Sequence, residues 1–155
     1  MIVKHRILGV AAIALAVAAS GVSAKDEYGT PKEAEAMVAA AVAYIKKVGP
    51  DAAYKDFTDR KAPFSDRDLY VVVYSLEGKP LAHGQNPKMV GKDLLDMKDP
   101  DGKEFVKERV TLAKTKGTFW QDYKFTDPVS KKVLPKSAYC EKTGETAVCV
   151  GVYKR

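Results

Sequence analysis

Apolar residues in the first half of the chain recur with the period of an α-helix. Between Thr30 and Gly49 they are spaced three or four residues apart, which predicts a long helix with one buried face. Thr30 is a suitable N-cap, Pro31 suits the first turn, and Glu33 completes a capping box. Gly49, followed by proline, is expected to end the helix. Its predicted core residues are Ala34, Met37, Val38, Ala41, Val42 and Ile45.

Two further helices are predicted. The first is short and covers 51–57, and a polar loop follows it over 60–68. Its inward residues are expected to be Ala53, Tyr54 and Phe57. The other is expected to start in the turn at 99–102 and to end at Gly117. The residues that share its inner face are Phe105, Val106, Arg109, Val110 and Ala113.

The remaining pattern is that of strands. Residues 69–75, Leu-Tyr-Val-Val-Val-Tyr-Ser, are mostly β-branched or aromatic, and Glu77-Gly78 predicts a turn after them. The other predicted strands cover 79–83, 118–125, 132–141 and 147–153. Strands that follow one another through hairpins form antiparallel sheets, and helices then cover them. The predicted fold is therefore α+β: a long N-terminal helix packed on a five-stranded antiparallel, PAS-like sheet.

The first 24 residues have the three parts of a secretory signal peptide. A basic stretch at 4–6 precedes an apolar run over 7–19, and Val22-Ser23-Ala24 supplies the small-x-small pattern of a cleavage site. An uncleaved membrane anchor is the alternative, but this apolar run is shorter than the roughly 20 residues that span a bilayer. We expect cleavage after Ala24 and a secreted or periplasmic protein whose single domain covers 25–155.

Charge and composition narrow the possible partners. Removal of the signal peptide leaves 131 residues and takes away Lys4 and Arg6, which lowers the formal net charge from +6 to +4. The charges of both signs are interspersed, so no basic stripe for nucleic acid is present and no nucleic-acid partner is expected. No second apolar stretch reaches membrane length, so we expect no stable membrane insertion once the signal is removed.

Cys140 and Cys149 flank a predicted hairpin turn. A four-residue loop over 143–146 places the two cysteines directly opposite each other, at a separation that suits a disulfide. The alternative is a pair of free buried thiols. We favour the disulfide, because thiols oxidise outside the cytoplasm. No metal site is expected, since His83 is the only histidine after residue 24.

Several segments resemble a known family in their order and spacing. Residues 68–74 (Asp-Leu-Tyr-Val-Val-Val-Tyr) and 77–84 (Glu-Gly-Lys-Pro-Leu-Ala-His-Gly) resemble the first hairpin of single Cache domains. The resemblance continues through 86–94 (Asn-Pro-Lys-Met-Val-Gly-Lys-Asp-Leu), 99–106 (Asp-Pro-Asp-Gly-Lys-Glu-Phe-Val), 120–123 (Trp-Gln-Asp-Tyr), 127–128 (Asp-Pro), 136–139 (Lys-Ser-Ala-Tyr) and 151–154 (Gly-Val-Tyr-Lys). It extends from about Lys32 to the C terminus.

This resemblance implies an extracytoplasmic sensing domain that binds a small organic anion, often a short-chain carboxylate. Family members are usually attached to a transmembrane receptor or kinase. We expect no output domain in this chain and therefore expect a separate membrane receptor or kinase as its partner. Phe119 stands where the family pattern commonly has glycine, and a bulky residue there is expected to narrow or reshape the pocket. A ligand-free interaction or scaffold module in the envelope is the alternative function.

A carboxylate pocket needs a cation together with hydroxyl or amide donors. The predicted ligand-binding residues, all in family-like strands or at strand ends, are Tyr70, His83, Trp120, Tyr123, Lys136 and Tyr139. Each has a structural alternative, and Trp120 and Tyr123 share a face only if a bulge intervenes. Arg67 and Arg109 are second-choice cations, expected at the surface or snorkelling to it.

Two kinds of site are not expected. Asp99, Asp101, Gly102 and Glu108 match four positions of a calcium loop, but its first position is Met97, which cannot ligate. We therefore interpret the acids as a turn with a helix cap. No nucleophile elbow, phosphate loop or grouping with metal spacing is present, so neither an enzyme nor a cofactor is predicted.

Overall fold

The computed structural model describes residues 27–155. The predicted signal peptide and the cleavage point after Ala24 lie outside these residues. The first helix, α1 (Pro31–Val48), has the predicted capping box: the Glu33 N–H donates to Thr30 Oγ1 at 3.3 Å, and the Thr30 N–H donates to Glu33 Oε2 at 2.8 Å. It ends at Gly49, whose φ of 86° favours glycine.

The second helix, α2 (Pro50–Thr58), is one residue longer at each end than predicted. It buries Ala53 and Phe57 as expected, whereas Tyr54 is only partly buried. No helix within the described residues is both long and apolar enough to cross a membrane.

All five predicted strands are present in an antiparallel sheet. They are β2 (Leu69–Ser75), β3 (Pro80–His83), β4 (Thr118–Thr126), β5 (Val133–Thr143) and β6 (Thr146–Tyr153). Their order across the sheet is β3-β2-β6-β5-β4. A sixth strand, β1 (Ser65–Asp66), pairs with the start of β2, in a segment predicted as polar loop. The predicted α+β class is confirmed, with one short strand added.

Helices cover both faces of the sheet, because alternate residues of each strand point to opposite sides. On one face, the α1 face, Val71, Val73, Val148 and Val150 pack with α1 and α2. The opposite face is covered by α3 (Phe105–Lys116) and by the segment that precedes it; we call it the α3 face. The candidate site lies there.

The third helix starts later than predicted. It begins at Phe105 rather than in the turn at 99–102, although it ends at Gly117 as expected. The Asp99 carboxylate accepts the backbone N–H groups of Asp101, Lys103 and Lys124, each at 3.0 Å. Asp99 therefore caps a turn and ties it to β4, and it does not cap the helix.

The structure contains the predicted disulfide between Cys140 and Cys149, which are cross-strand partners in β5 and β6. The turn is tighter than predicted: the strands continue to Thr143 and Thr146, so only two residues connect them. The register is unchanged, because the predicted loop loses one residue at each end. Both cysteines are fully buried on the α3 face.

Candidate functional site

Six polar or aromatic side chains meet under α3 and form what we call the polar cluster. Every member is at most 8% exposed, although two of them are basic residues. Long polar side chains are seldom buried this completely without a specific role. The members are Tyr70 from β2, His83 from β3, Arg109 from α3, Tyr123 from β4, Lys136 from β5 and Tyr153 from β6.

Lys136 lies directly opposite Tyr123 in the β4–β5 ladder, and its side chain crosses towards β6. Its Nζ donates to Tyr70 Oη at 2.7 Å and to Tyr153 Oη at 3.3 Å. It also lies 4.1 Å and 4.6 Å from the centres of these two rings, which is cation–π distance. Two hydroxyls and two rings therefore replace the water that a surface lysine would have.

Gly151 of β6 provides the space for this side chain. A Cβ at that position would overlap Lys136 Cε and come within 3.2 Å of Lys136 Cδ and Cγ. The absence of a side chain on β6 is therefore what allows the lysine to lie flat against the sheet.

Arg109 reaches the cluster from α3, where it is 1% exposed. Its Nε donates to Gln121 Oε1 at 3.0 Å, and Gln121 in turn donates to the Phe105 carbonyl at 2.7 Å. The guanidinium carbon lies 5.0 Å from the ring centres of both Tyr74 and Tyr123. Its Nη2 is buried and has no hydrogen-bond partner in the described part of the chain.

His83 contributes a neutral donor. Its Nδ1 accepts the backbone N–H groups of Gln85 and Asn86 at 3.2 and 3.0 Å, so the ring proton is on Nε2. The ring stacks on Tyr70 with centroids 5.6 Å apart. Burial, with the positive charges of Lys136 and Arg109, lowers the pKa of His83 to about 3. The ring therefore stays uncharged at physiological pH.

The cluster carries two positive charges and no carboxylate. Within residues 27–155 neither Lys136 nor Arg109 forms an ion pair. Burial by itself raises the pKa of the Tyr123 hydroxyl, but these two cations outweigh it and lower that pKa below its ordinary value. Burial raises the pKa of Tyr70 and of Tyr153, which stay protonated. A site of this kind attracts an anion.

Four of the six predicted ligand-binding residues, Tyr70, His83, Tyr123 and Lys136, belong to this cluster. The structure separates Trp120 and Tyr139 from them, which corrects the predicted grouping. These two rings pack together on the α1 face at 5.4 Å, and Trp120 Nε1 donates to Glu35 Oε1 at 3.3 Å. The β4–β5 ladder runs without a bulge, so residues three apart in a strand must point to opposite faces.

Sequence reasoning undervalued Arg109 and missed Tyr153. Arg109 was expected near the surface, yet its position among the apolar residues of the inner helix face already indicated burial. Tyr153 is two residues from Gly151 and four from Cys149, so strand alternation places it on the α3 face. Arg67 lies outside the cluster at a partly buried position, where it forms ion pairs with Asp66 at 2.9 Å and with Glu33.

Phe119 does not belong to the polar cluster. It lies on the α3 face opposite Cys140, at the disulfide end of the sheet. It is four positions before Tyr123 in β4, which corresponds to about 13 Å between the two Cα atoms. Phe119 therefore packs at the other end of that face and does not contact the polar cluster around Lys136.

Comparison with known proteins shows which family this chain resembles. A family model described as "Single Cache domain 2" matches residues 16–154. The methyl-accepting chemotaxis protein McpP of Pseudomonas putida is 30% identical over 76 residues, which are 49% of this chain and 14% of that relative. The chain therefore spans a small part of the length of this curated relative.

Solved structures share the fold. A methyl-accepting chemotaxis protein from Vibrio parahaemolyticus matches with a TM-score of 0.67 and 22% identity, over 79% of this chain and 86% of that one. A structure titled "Structural basis for carboxylic acid recognition by a Cache chemosensory domain" matches with a TM-score of 0.67 and 22% identity, over 80% of this chain and 92% of that one. A periplasmic sensor domain of a chemotaxis protein matches with a TM-score of 0.63 and 24% identity, over 80% of this chain and 90% of that one.

Proposed function

The chain belongs to the single Cache domain family, and on that premise we propose that it senses a small organic anion in the polar cluster. It is a Cache sensor domain, homologous to the periplasmic sensing domains of chemoreceptors. We propose that the bound group is a carboxylate and that the role of the domain is recognition rather than catalysis.

The observation that carries this proposal is the pair of buried cations, neither of which forms an ion pair in the described residues. A buried charge is costly unless it is paired or hydrogen-bonded. Lys136 is partly compensated by tyrosine hydroxyls, whereas Arg109 Nη2 has no partner. A carboxylate placed between them supplies the missing negative charge. Each hydrogen bond to a charged group contributes about 1.5–3 kcal/mol, so a few of them hold a very small ligand.

The other members of the cluster have distinct roles in this proposal. The Tyr70 and Tyr153 hydroxyls hold the Lys136 ammonium group in place, and the His83 Nε2–H donates to an oxygen of the ligand. Tyr123 lies between the two cations and lines the position of the anion. Trp120 and Tyr139 take no part, because they lie on the opposite face.

The location and the partner are also part of the proposal. We propose that residues 1–24 direct export and are removed after Ala24, so that the domain acts in the periplasm or outside the cell. The binding signal would then pass to a separate membrane receptor or kinase. The relatives named as chemotaxis proteins support a receptor context of this kind.

Calorimetry on the mature protein tests ligand binding. Acetate, propionate, pyruvate and lactate are titrated into wild type and into Lys136→Met, which keeps the side-chain volume but removes the charge. We expect at least one acid to bind the wild type and to bind K136M at least about tenfold more weakly. Lys114→Met, on the exposed side of α3, is the matched control. If no acid binds folded wild type, the proposal is wrong.

One observation favours the alternative function, an envelope scaffold without a ligand. The polar cluster is closed, and Lys136 already has two acceptors within the chain. A scaffold would retain this cluster for stability alone. In that case K136M would lower the melting temperature, no organic anion would raise it, and crosslinking in the envelope would still capture a protein partner.

A further inference from the structure

The Tyr123 hydroxyl meets two cations that come from different elements. Tyr123 is 8% exposed, lies opposite Lys136 in the β4–β5 ladder, and has its ring centre 5.0 Å from the Arg109 guanidinium carbon. Its ring stacks on that of Phe105 at 4.7 Å. Both cations interact with the hydroxyl oxygen. Lysine and arginine are donors only, so each can donate to this oxygen but neither can accept its proton.

Two other hydroxyls of the polar cluster need their protons for hydrogen bonds. The Tyr153 hydroxyl donates to the Thr126 carbonyl at 2.7 Å. The Tyr70 oxygen accepts from Lys136 at 2.7 Å and lies 3.2 Å from Tyr153 Oη, so its own proton is donated to Tyr153. Loss of either proton would break one of these bonds. Loss of the Tyr123 proton breaks no hydrogen bond found in the described part of the chain.

The surroundings of Tyr123 hold positive charge and lack a carboxylate. The titratable and charged groups on this face are Tyr70 and Tyr74 from β2, His83 from β3, Arg109 from α3, Lys136 from β5 and Tyr153 from β6. Burial raises the pKa of Tyr74 to about 12, and His83 is neutral. Buried cations without a counter-charge are costly. Within residues 27–155, Tyr123 is therefore the group on this face that can supply a negative charge.

The acid on the same helix as Arg109 is occupied elsewhere. Glu108 Oε2 accepts the Gln121 side-chain N–H at 2.6 Å and pairs with Lys103 at 2.8 Å. Gln121 in turn accepts from Arg109 Nε at 3.0 Å, so an amide lies between this carboxylate and the guanidinium group. Glu108 therefore does not take the place of an anion at Tyr123.

We propose that Tyr123 releases its proton to water in the closed cluster and that its phenolate is the internal counterion of Lys136 and Arg109. The O–H bond is the one bond that breaks. When an organic anion binds, its charge replaces that of the phenolate, and Tyr123 takes a proton back from the solvent. The counterion stands on the contacts within the cluster, whereas its displacement by an anion rests on the proposed function.

The ultraviolet absorbance of tyrosinate tests the counterion in the ligand-free mature protein without any substitution. All eight tyrosines lie after residue 24 and contribute to this signal. In a pH titration we expect a first step equivalent to one tyrosine, below the ordinary value of 10.0, because both cations favour the phenolate. If no step precedes the ordinary range, the proposal is wrong.

Substitutions then assign the first step. Tyr123→Phe removes one oxygen and should abolish it, whereas Lys136→Met should move it to higher pH because one cation is lost. Tyr139→Phe, on the opposite face of the sheet, is the matched control and should retain it. A first step that persists in Y123F would overturn the assignment. If K136M does not fold, Arg109→Met should give the same direction of shift, and the titration of wild type and Y123F still decides.

Calorimetry in buffers of different ionisation enthalpy tests displacement by an anion. Acetate, propionate, pyruvate and lactate are titrated at pH values on both sides of the first step. Above it, we expect up to one proton to be taken up per acid bound and affinity to fall by up to about tenfold per pH unit. Y123F should show neither effect. Binding without proton uptake would overturn the displacement, and if none of the four acids binds, the proposed function fails while the absorbance titration still decides on the counterion.

Discussion

The position of Lys136 depends on the missing side chain at Gly151, and the substitution Gly151→Ala tests this directly. The added Cβ would overlap Lys136 Cε, and the flexible end of the lysine must move to avoid it. The ammonium group would then lose its contacts with Tyr70 Oη and Tyr153 Oη, at 2.7 and 3.3 Å. The buried hydroxyls would lose their donor at the same time.

The expected magnitude follows from these contacts. Hydrogen bonds to a charged group contribute about 1.5–3 kcal/mol each. Alanine recovers about 0.5–1 kcal/mol relative to glycine in a strand, because it loses less backbone entropy on folding. Since the displaced lysine finds partial compensation in water, we expect G151A to lower the free energy of unfolding by about 2 kcal/mol. Ligand binding should fall at least about tenfold.

A double-mutant cycle with Lys136→Ala isolates the cause. In the K136A background the Cβ of residue 151 meets no lysine, so G151A should be neutral or stabilising by up to about 1 kcal/mol. The coupling between the two positions is then about 2–3 kcal/mol. Urea unfolding followed by circular dichroism measures all four proteins. If G151A costs the same in both backgrounds, Gly151 is needed for another reason and our account of the lysine is wrong.

Three further predictions concern stability. Replacing both hairpin cysteines by alanine should cost about 2–3 kcal/mol in urea unfolding, because the unfolded chain gains loop entropy; an unchanged midpoint would contradict this. Arg155 pairs with the fully buried carboxylates of Asp68 and Asp127 at 2.9 and 2.8 Å. Arg155→Met should cost about 1–2 kcal/mol, whereas Lys132→Met, on the exposed surface, should cost nothing measurable. The pKa of His83 is about 3 in the folded state, below its ordinary value of 6.5. The unfolded chain therefore binds the extra proton first, and the free energy of unfolding should fall by up to about 1.4 kcal/mol per pH unit as the pH drops from about 6.5 towards about 3. His83→Gln should remove this part of the pH dependence, and an identical profile in that variant would refute the assignment.

The elements of the fold were predictable because their signals are local. The capping box of α1 lies within four consecutive residues, and the strands show β-branched runs or alternation over short windows. The disulfide pairing followed from the symmetry of the hairpin about the Gly144-Glu145 turn. The start of α3 was not predictable in this way, because the Asp99 carboxylate accepts the Lys124 N–H of β4, which is 25 residues away in the sequence.

For the candidate site, the sequence and the tertiary structure determined different features. The sequence by itself determined which residues were available: one histidine after residue 24, tyrosines on alternating strand positions, and a lysine in a predicted strand. Only the tertiary structure decided that the Arg109 side chain reaches the α3 face of the sheet and that Gly151 leaves room there for Lys136. It also placed Trp120 on the opposite face. The physical reason is that strand and helix periods act between near neighbours, whereas the site forms where five strands and a helix meet.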